Sequence, residues 1–181
     1  MSRLQPISVD LAKGKTRELL ETAQKKSGKL LNIVATMANS PAVLEAYLEF
    51  SGKLKKTKLP AKVREAVALA IGEKNRCEYC IAAHTQGGHA AGLTDAETMQ
   101  ARQGEADDPK LGAVLKLALA IVETKGFVSD DQLAAARQAG LSDEEITEVV
   151  GLVALNLFTN YFNHVADTEV DFPKVALLKE A

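Results

Sequence analysis

An all-α fold is what this amino-acid sequence predicts, on three observations. Apolar residues recur at helical spacing in almost every segment, and no strictly alternating run bounded by turn residues marks a strand. Aromatic residues make up 4% of the chain and Trp is absent, so the core must be built from Ala, Leu, Val and Ile, which suits close helix packing. Capping residues, prolines and glycines also stand where helices would begin and end.

In chain order, the spacing predicts helices at about 9 to 27, 30 to 37, 41 to 56, 61 to 74, 77 to 91, 95 to 103, 109 to 125, 130 to 139 and 143 to 166. The first two rest on apolar spacing alone. The third and seventh begin where Ser40 and Asp108 each precede a proline, which suits the first helical position because its missing N–H would be unpaired there anyway. Asn75 reads as the break between the fourth and fifth. The sixth and ninth open with capping boxes, Thr94 with Glu97 and Ser142 with Glu145. In each case a glycine two residues earlier, Gly92 or Gly140, can end the preceding helix in a left-handed conformation. The tail, 168–181, reads as irregular. No low-complexity linker interrupts the chain, so residues 1–181 are expected to form a single domain of about eight or nine helices.

A weak internal echo runs through this pattern. Ala91-Gly92-Leu93-Thr94-Asp95 recurs as Ala139-Gly140-Leu141-Ser142-Asp143, and Ala68-Leu69-Ala70-Ile71 recurs as Ala118-Leu119-Ala120-Ile121. Two copies of a helix-turn-helix unit would explain it, as would chance similarity between two helix ends. The 48-residue shift from Gly92 to Gly140 sets Lys125, Val128 and Gln132 opposite Cys77, Cys80 and His84, so a second copy would have no thiol chemistry.

With 181 residues and 46% hydrophobic content, the chain is long enough for one full core. Its 22 Lys+Arg against 24 Asp+Glu leave a formal charge of -2, which draws it to neither a nucleic-acid backbone nor an anionic membrane. Residues Met1 to Asp10 lack the apolar core of a secretory signal. The longest apolar run, Val149 to Leu155, ends at Asn156, well short of the ~20 residues that span a bilayer. A cytoplasmic protein is expected, with no nucleic-acid or membrane partner.

The two cysteines, Cys77 and Cys80, form one C-x-x-C pair. So close a pair closes almost no loop and would stabilise little, which points to chemistry rather than scaffolding. If Asn75 breaks the helix, both cysteines fall in the first turn of the next one, where unpaired N–H groups and the macrodipole favour a thiolate. At ~100° per residue, Cys77, Cys80 and His84 lie at about 0°, -60° and -20° on the helical wheel, so all three share a face; His89 faces elsewhere. His84 follows Cys80 by one helical turn and can carry its proton, which favours Cys80 as the more activated thiol. Glu65, on the preceding helix, could accept that proton if the two helices fold back on each other.

Glu65, Cys77, Cys80 and His84 read as E-x11-C-x-x-C-x3-H, which resembles the core motif of the alkylhydroperoxidase AhpD family within the carboxymuconolactone decarboxylase-like superfamily. Asn75, Tyr79, Ala83-His84-Thr85 and Gly92-Leu93 are similar to many members. The specific likeness covers residues 60–100. The resemblance implies an all-helical, homo-oligomeric thiol peroxidase or disulfide reductase without a cofactor. In that mechanism Cys80 reacts with an organic hydroperoxide, Cys77 closes the disulfide, Glu65 and His84 relay protons, and a lipoyl or thioredoxin-like dithiol is the reductant. Where the founding peroxidase has a further His between its cysteines, this chain has Tyr79, as do uncharacterised peroxidase-related members.

Other readings are weaker on the residues. Cys77, Cys80, His84 and His89 count four possible zinc ligands, but His89 points off the common face and one helix rarely closes a tetrahedral site. No βαβ pattern surrounds the pair, as a thioredoxin-like motif would need. A lactone-acid decarboxylase, or a non-catalytic redox-sensing oligomer, is the alternative function. Glu73 reads as a surface residue. Phe158, Tyr161 and Phe162 gather beside Asn160, Asn163 and His164, as a core or oligomer-interface helix or as a pocket wall with Asn160 or His164 reaching the thiols. The apolar run Val149 to Leu155 predicts a helix buried on every side.

Overall fold

A computed structural model of the chain describes residues 2–179. Among these, the regular structure is entirely helical: α1 Gly14–Ser27, α2 Asn32–Met37, α3 Pro41–Leu54, α4 Ala61–Lys74, α5 Glu78–Ala90, α6 Asp95–Arg102, α7 Pro109–Thr124, α8 Asp130–Gln138 and α9 Asp143–Ala166. No strand occurs among the described residues. The punctuation works as its chemistry requires. Ser40 and Asp108 accept hydrogen bonds from the Val43 and Leu111 N–H groups behind Pro41 and Pro109. Thr94 and Ser142 form complete capping boxes, and Gly92 and Gly140 both adopt φ 91°. Ser129 with Gln132 closes a third box.

The first helix departs most from the sequence expectation. Residues 8–12 form a separate turn, in which the Leu11 and Ala12 N–H groups donate to the Ser8 carbonyl. Gly14, at φ 52°, interrupts any continuation into α1. At the start of α5 the boundary moves by one residue: Arg76 is left-handed at φ 55°, and the Cys77 and Arg76 N–H groups close back onto the Gly72 and Glu73 carbonyls. That Schellman turn leaves Cys77 as the N-cap rather than in the first turn, with Cys80 the third helical residue.

Helix α4 runs through the centre and packs against α5, α6, α7 and α9. Its segment from Ala66 to Gly72 is wholly buried, and Leu69 and Ile71 meet Ile81, Leu115, Val149 and Leu152 in the main core. A second apolar cluster, with Leu20, Met37 and Leu44 from α1, α2 and α3, surrounds Cys77, Tyr79 and Cys80. The sequence echo has a structural counterpart. Helices α4, α5 and α6 correspond to α7, α8 and the start of α9, and the Lys62–Glu97 ion pair at 2.6 Å recurs as Lys110–Glu145 at 2.7 Å.

Two expectations are corrected. The run Val149 to Leu155 is not buried on every side: Val149, Leu152 and Val153 face the core, while Val150 is 49% exposed. Glu73 is not a surface residue. Its carboxylate is paired with buried Arg102 at 2.7 Å and accepts the Leu178 N–H at 2.7 Å, while Arg102 also donates to the Ala176 carbonyl. The irregular tail is therefore clasped onto α4 and α6, and Asp171 fastens its earlier part by accepting the Asn32 N–H. The last two residues of the 168–181 tail lie outside the described residues.

Candidate functional site

Helices α4, α5 and α9 meet around the cysteines. Cys77 and Cys80 are joined as a disulfide, and both residues are buried. Cys77 caps its own helix through sulfur, accepting the Cys80 N–H at 3.4 Å. Fold-back of α4 on α5 brings Glu65 to His84, where Glu65 Oε2 lies 2.8 Å from His84 Nδ1. Burial works to raise the Glu65 pKa, but the charge and hydrogen bond of His84, with Arg64 and Lys55 nearby, outweigh it and hold the carboxyl below its ordinary range. Gly87 makes room for this pair: a Cβ there would sit 2.6 Å from Glu65 Oε2.

His84 turns its Nδ1 to Glu65, and the hydrogen bonds at the Cys80 sulfur come from elsewhere. Asn160 Nδ2 donates to Cys80 Sγ at 3.0 Å, and Asn163 Nδ2 contacts Cys80 Sγ at 3.4 Å and Cys77 Sγ at 3.8 Å. Asn75 Nδ2 donates to Asn160 Oδ1 at 2.9 Å, which fixes the Asn160 amide with its N–H groups toward sulfur. Both α9 asparagines are buried. Of the two α9 residues that the sequence offers as reaching the thiols, Asn160 does so; Asn163, which i to i+4 spacing from Cys80 could not assign because it arrives from 83 residues away, does so as well. The signal for Asn163 is its place one turn after Asn160 on the same helix face, since buried amides need partners.

The site residues do not share one opening. Glu65, Cys80 and His84 line a cavity of about 400 Å³, walled also by Leu31, Tyr47 and Phe172. Cys77 lies on the other side, in the wall of a separate cavity of about 350 Å³ with Arg76, Glu78, His164 and Asp167. The common face drawn for Cys77, Cys80 and His84 fails because Cys77, at ψ 93°, is not helical. Tyr79 borders both cavities and is structural: its hydroxyl accepts the Ile33 N–H at 3.4 Å, and its ring meets Phe172 edge-on at 5.5 Å. Burial and the Asp171 carboxylate push the phenol well above its ordinary pKa, so it is no substitute for a proton-carrying His. His89 pairs with Asp95 at 3.0 Å on the exposed side of α5. His164 borders the Cys77 cavity but makes no hydrogen bond to either sulfur, while Asn160 does reach one. A larger cavity, about 790 Å³ between α7 and α8, has Ala113 and Gln132 where the repeat sets the counterparts of Glu65 and His84. It carries none of the thiol chemistry.

Among the described residues no group of His, Cys, Asp and Glu is arranged to hold a metal ion, and no helix is long and apolar enough to cross a membrane. The chemistry available is that of a redox dithiol beside a carboxylate–imidazole pair.

Comparison with known proteins bears on the fold and on the segment that carries the cysteines. The model of the carboxymuconolactone decarboxylase family matches residues 41–108. An alkyl hydroperoxide reductase of Mycobacterium tuberculosis is 29% identical over 96 residues; the match spans 52% of this chain but only 28% of that relative's length. An uncharacterized peroxidase-related protein from Ralstonia eutropha, with an alkylhydroperoxidase AhpD core, superposes with a TM-score of 0.85 at 21% identity over 94% of this chain and 92% of its own. The debrominase Bmp8, solved with 2,3,4-tribromopyrrole, has the same fold at a TM-score of 0.79 and 17% identity, over 94% of this chain and 92% of its own. The likeness is thus to the carboxymuconolactone decarboxylase family over residues 41–108 and, in fold, to AhpD-like proteins over nearly the whole chain.

Proposed function

We propose that this protein is a thiol-dependent peroxidase that reduces organic hydroperoxides through Cys77 and Cys80. The observation that carries the reading is the Cys77–Cys80 disulfide next to a cavity that also holds the Glu65–His84 pair. In the dithiol state, Cys80 as thiolate attacks the terminal peroxide oxygen. The O–O bond breaks, Cys80 becomes a sulfenic acid, and the alkoxide takes a proton supplied through His84 and Glu65 to leave as an alcohol. Cys77 then displaces hydroxide from the sulfenic sulfur, which leaves as water, and the disulfide closes. A dithiol reductant resets the pair. Leu31, Ile33, Tyr47 and Phe172 give the Cys80 cavity an apolar wall that suits an alkyl or aryl hydroperoxide.

The test is mass spectrometry of the reduced protein after one equivalent of cumene hydroperoxide, with and without dithiothreitol. A loss of two hydrogens that dithiothreitol reverses, with turnover of the peroxide, supports the reading; an unreactive pair refutes it. Cys80→Ser should abolish peroxide consumption, whereas Cys77→Ser should stop at a dimedone-trapped sulfenic acid. A sulfenic acid trapped at Cys77 would reverse the two roles. Carbon dioxide release from a lactone acid would identify the decarboxylase alternative, and oxidation that changes assembly without turnover a redox sensor. The aromatic side chains Tyr47, Tyr79 and Phe172 around the same cavity favour one further reading, dehalogenation of a bromoarene. There the two thiols would supply the electrons, and released bromide would reveal it. We further take residues 1–181 as one functional domain and expect a homo-oligomer, because Val150 and Val165 leave an apolar face of α9 exposed.

A further inference from the structure

The disulfide stands between two cavities of different character. Cys80 lines the 400 Å³ cavity and Cys77 the 350 Å³ one; neither cysteine lines both, and Tyr79 and Asn163 form the partition shared by the two. The Cys80 side sets an apolar wall of Leu31, Ile33, Tyr47 and Phe172 opposite the Glu65–His84 pair. The Cys77 side presents Arg76, Glu78, His164 and Asp167. We propose that the Cys77 cavity is the entry for the reductant, a dithiol whose thiolate attacks Cys77 Sγ there while the hydroperoxide meets Cys80 from the opposite side. This rests on the peroxidase reading and adds a second binding site to it.

A thiolate attacks a disulfide sulfur roughly in line with the S–S bond, from the side away from the sulfur that leaves. Cys77 is the disulfide residue in the wall of the second cavity, so a thiolate entering there meets Cys77 rather than Cys80. The leaving sulfur is then Cys80, which receives the Asn160 amide at 3.0 Å and the Asn163 amide at 3.4 Å, whereas Cys77 receives the Cys80 backbone N–H at 3.4 Å and the longer 3.8 Å contact with Asn163. Amide N–H groups favour the thiolate form, and a sulfur of lower pKa leaves faster. The first reductant sulfur bonds to Cys77 as the Cys77–Cys80 bond breaks, and the electron pair stays on Cys80 as thiolate. The second reductant thiol, losing its proton to solvent, then attacks the reductant sulfur bound to Cys77. Cys77 departs as thiolate and is protonated, and the reductant leaves as its internal disulfide. Attack from the Cys80 cavity would instead release the less stabilised sulfur and block Cys80.

The test begins with the native protein oxidised by diamide, so that it needs no peroxidase activity. It is treated with 2-mercaptoethanol in the presence of iodoacetamide, and the tryptic peptide beginning at Cys77 is fragmented by mass spectrometry. The expected product carries the mixed disulfide on Cys77 and the carbamidomethyl group on Cys80; the reverse arrangement overturns the proposal. Two cavity-narrowing variants give an independent measure. His164→Trp should slow reduction by dithiothreitol about tenfold relative to oxidation by cumene hydroperoxide, and Leu31→Trp should move that ratio the other way. Equal slowing of both half-reactions by both variants would mean that one cavity serves both, against the proposal. If hydroperoxide is not consumed while thiol still adds to Cys77, the peroxidase reading fails and the reductant entry stands.

Discussion

Replacing Asn160 with leucine removes the shortest hydrogen bond to the Cys80 sulfur while keeping the side-chain volume in a fully buried position. A hydrogen bond to a charged group is worth about 1.5–3 kcal/mol, and about 1.4 kcal/mol corresponds to one pH unit, so the Cys80 thiol should titrate about one to two pH units higher in Asn160→Leu. Asn163 remains as a donor at 3.4 Å, which places the expectation toward the lower end of that range. Asn160→Asp should raise the thiol further, because a carboxylate would replace a donor with a like charge. Asn75→Ala should act in the same direction with smaller size, since it frees the Asn160 amide to rotate away from sulfur. The assay is the rate of iodoacetamide alkylation of the reduced protein against pH, with the modified cysteine located by fragmentation and the fold checked by circular dichroism. A Cys80 midpoint that stays put in Asn160→Leu, in a protein that remains helical, would refute the assignment of the amides as thiolate stabilisers.

Gly87→Ala should push the Glu65 carboxylate out of its 2.8 Å contact with His84 and cut peroxide turnover about 10²-fold, while the gain of about 1 kcal/mol in helix propensity keeps the fold intact; steady-state rates and thermal melts would show both. Because Glu65 titrates lower in the folded protein than in the unfolded chain, its contribution to stability is full above the ordinary glutamate range and is lost as pH falls through the lowered folded value; Glu65→Gln should remove that part of the acid-side loss in denaturant titrations against pH. Arg102→Ala should destabilise the fold by about 3–5 kcal/mol, since it leaves Glu73 buried without its partner, and the tail should become the first site of proteolysis. Val150→Glu should lower the apparent mass in light scattering if the exposed face of α9 is a subunit contact.

The elements that the sequence determined are those whose cause is local. Prolines after Ser40 and Asp108, the capping boxes at Thr94 and Ser142, and glycines 92 and 140 act over a few residues, and α4 and α9 lie at the positions the pattern marks. The motif likewise identified Glu65, Cys77, Cys80 and His84 as one group, because α4 and α5 are consecutive and can only fold back on each other across a short turn. What tertiary structure alone decided depends on segments distant in the chain. Asn160 and Asn163 reach the sulfurs from α9, and Glu73 is buried because Arg102 and the tail close over it. The division of the two sulfurs between separate cavities depends on a single residue: Arg76 in a left-handed conformation takes Cys77 off the helix, and a wheel drawn on sequence spacing has no way to register that. Periodicity records which face of a helix is apolar; which side chain from elsewhere meets that face is fixed by packing, and the chemistry at Cys80 is set by that meeting.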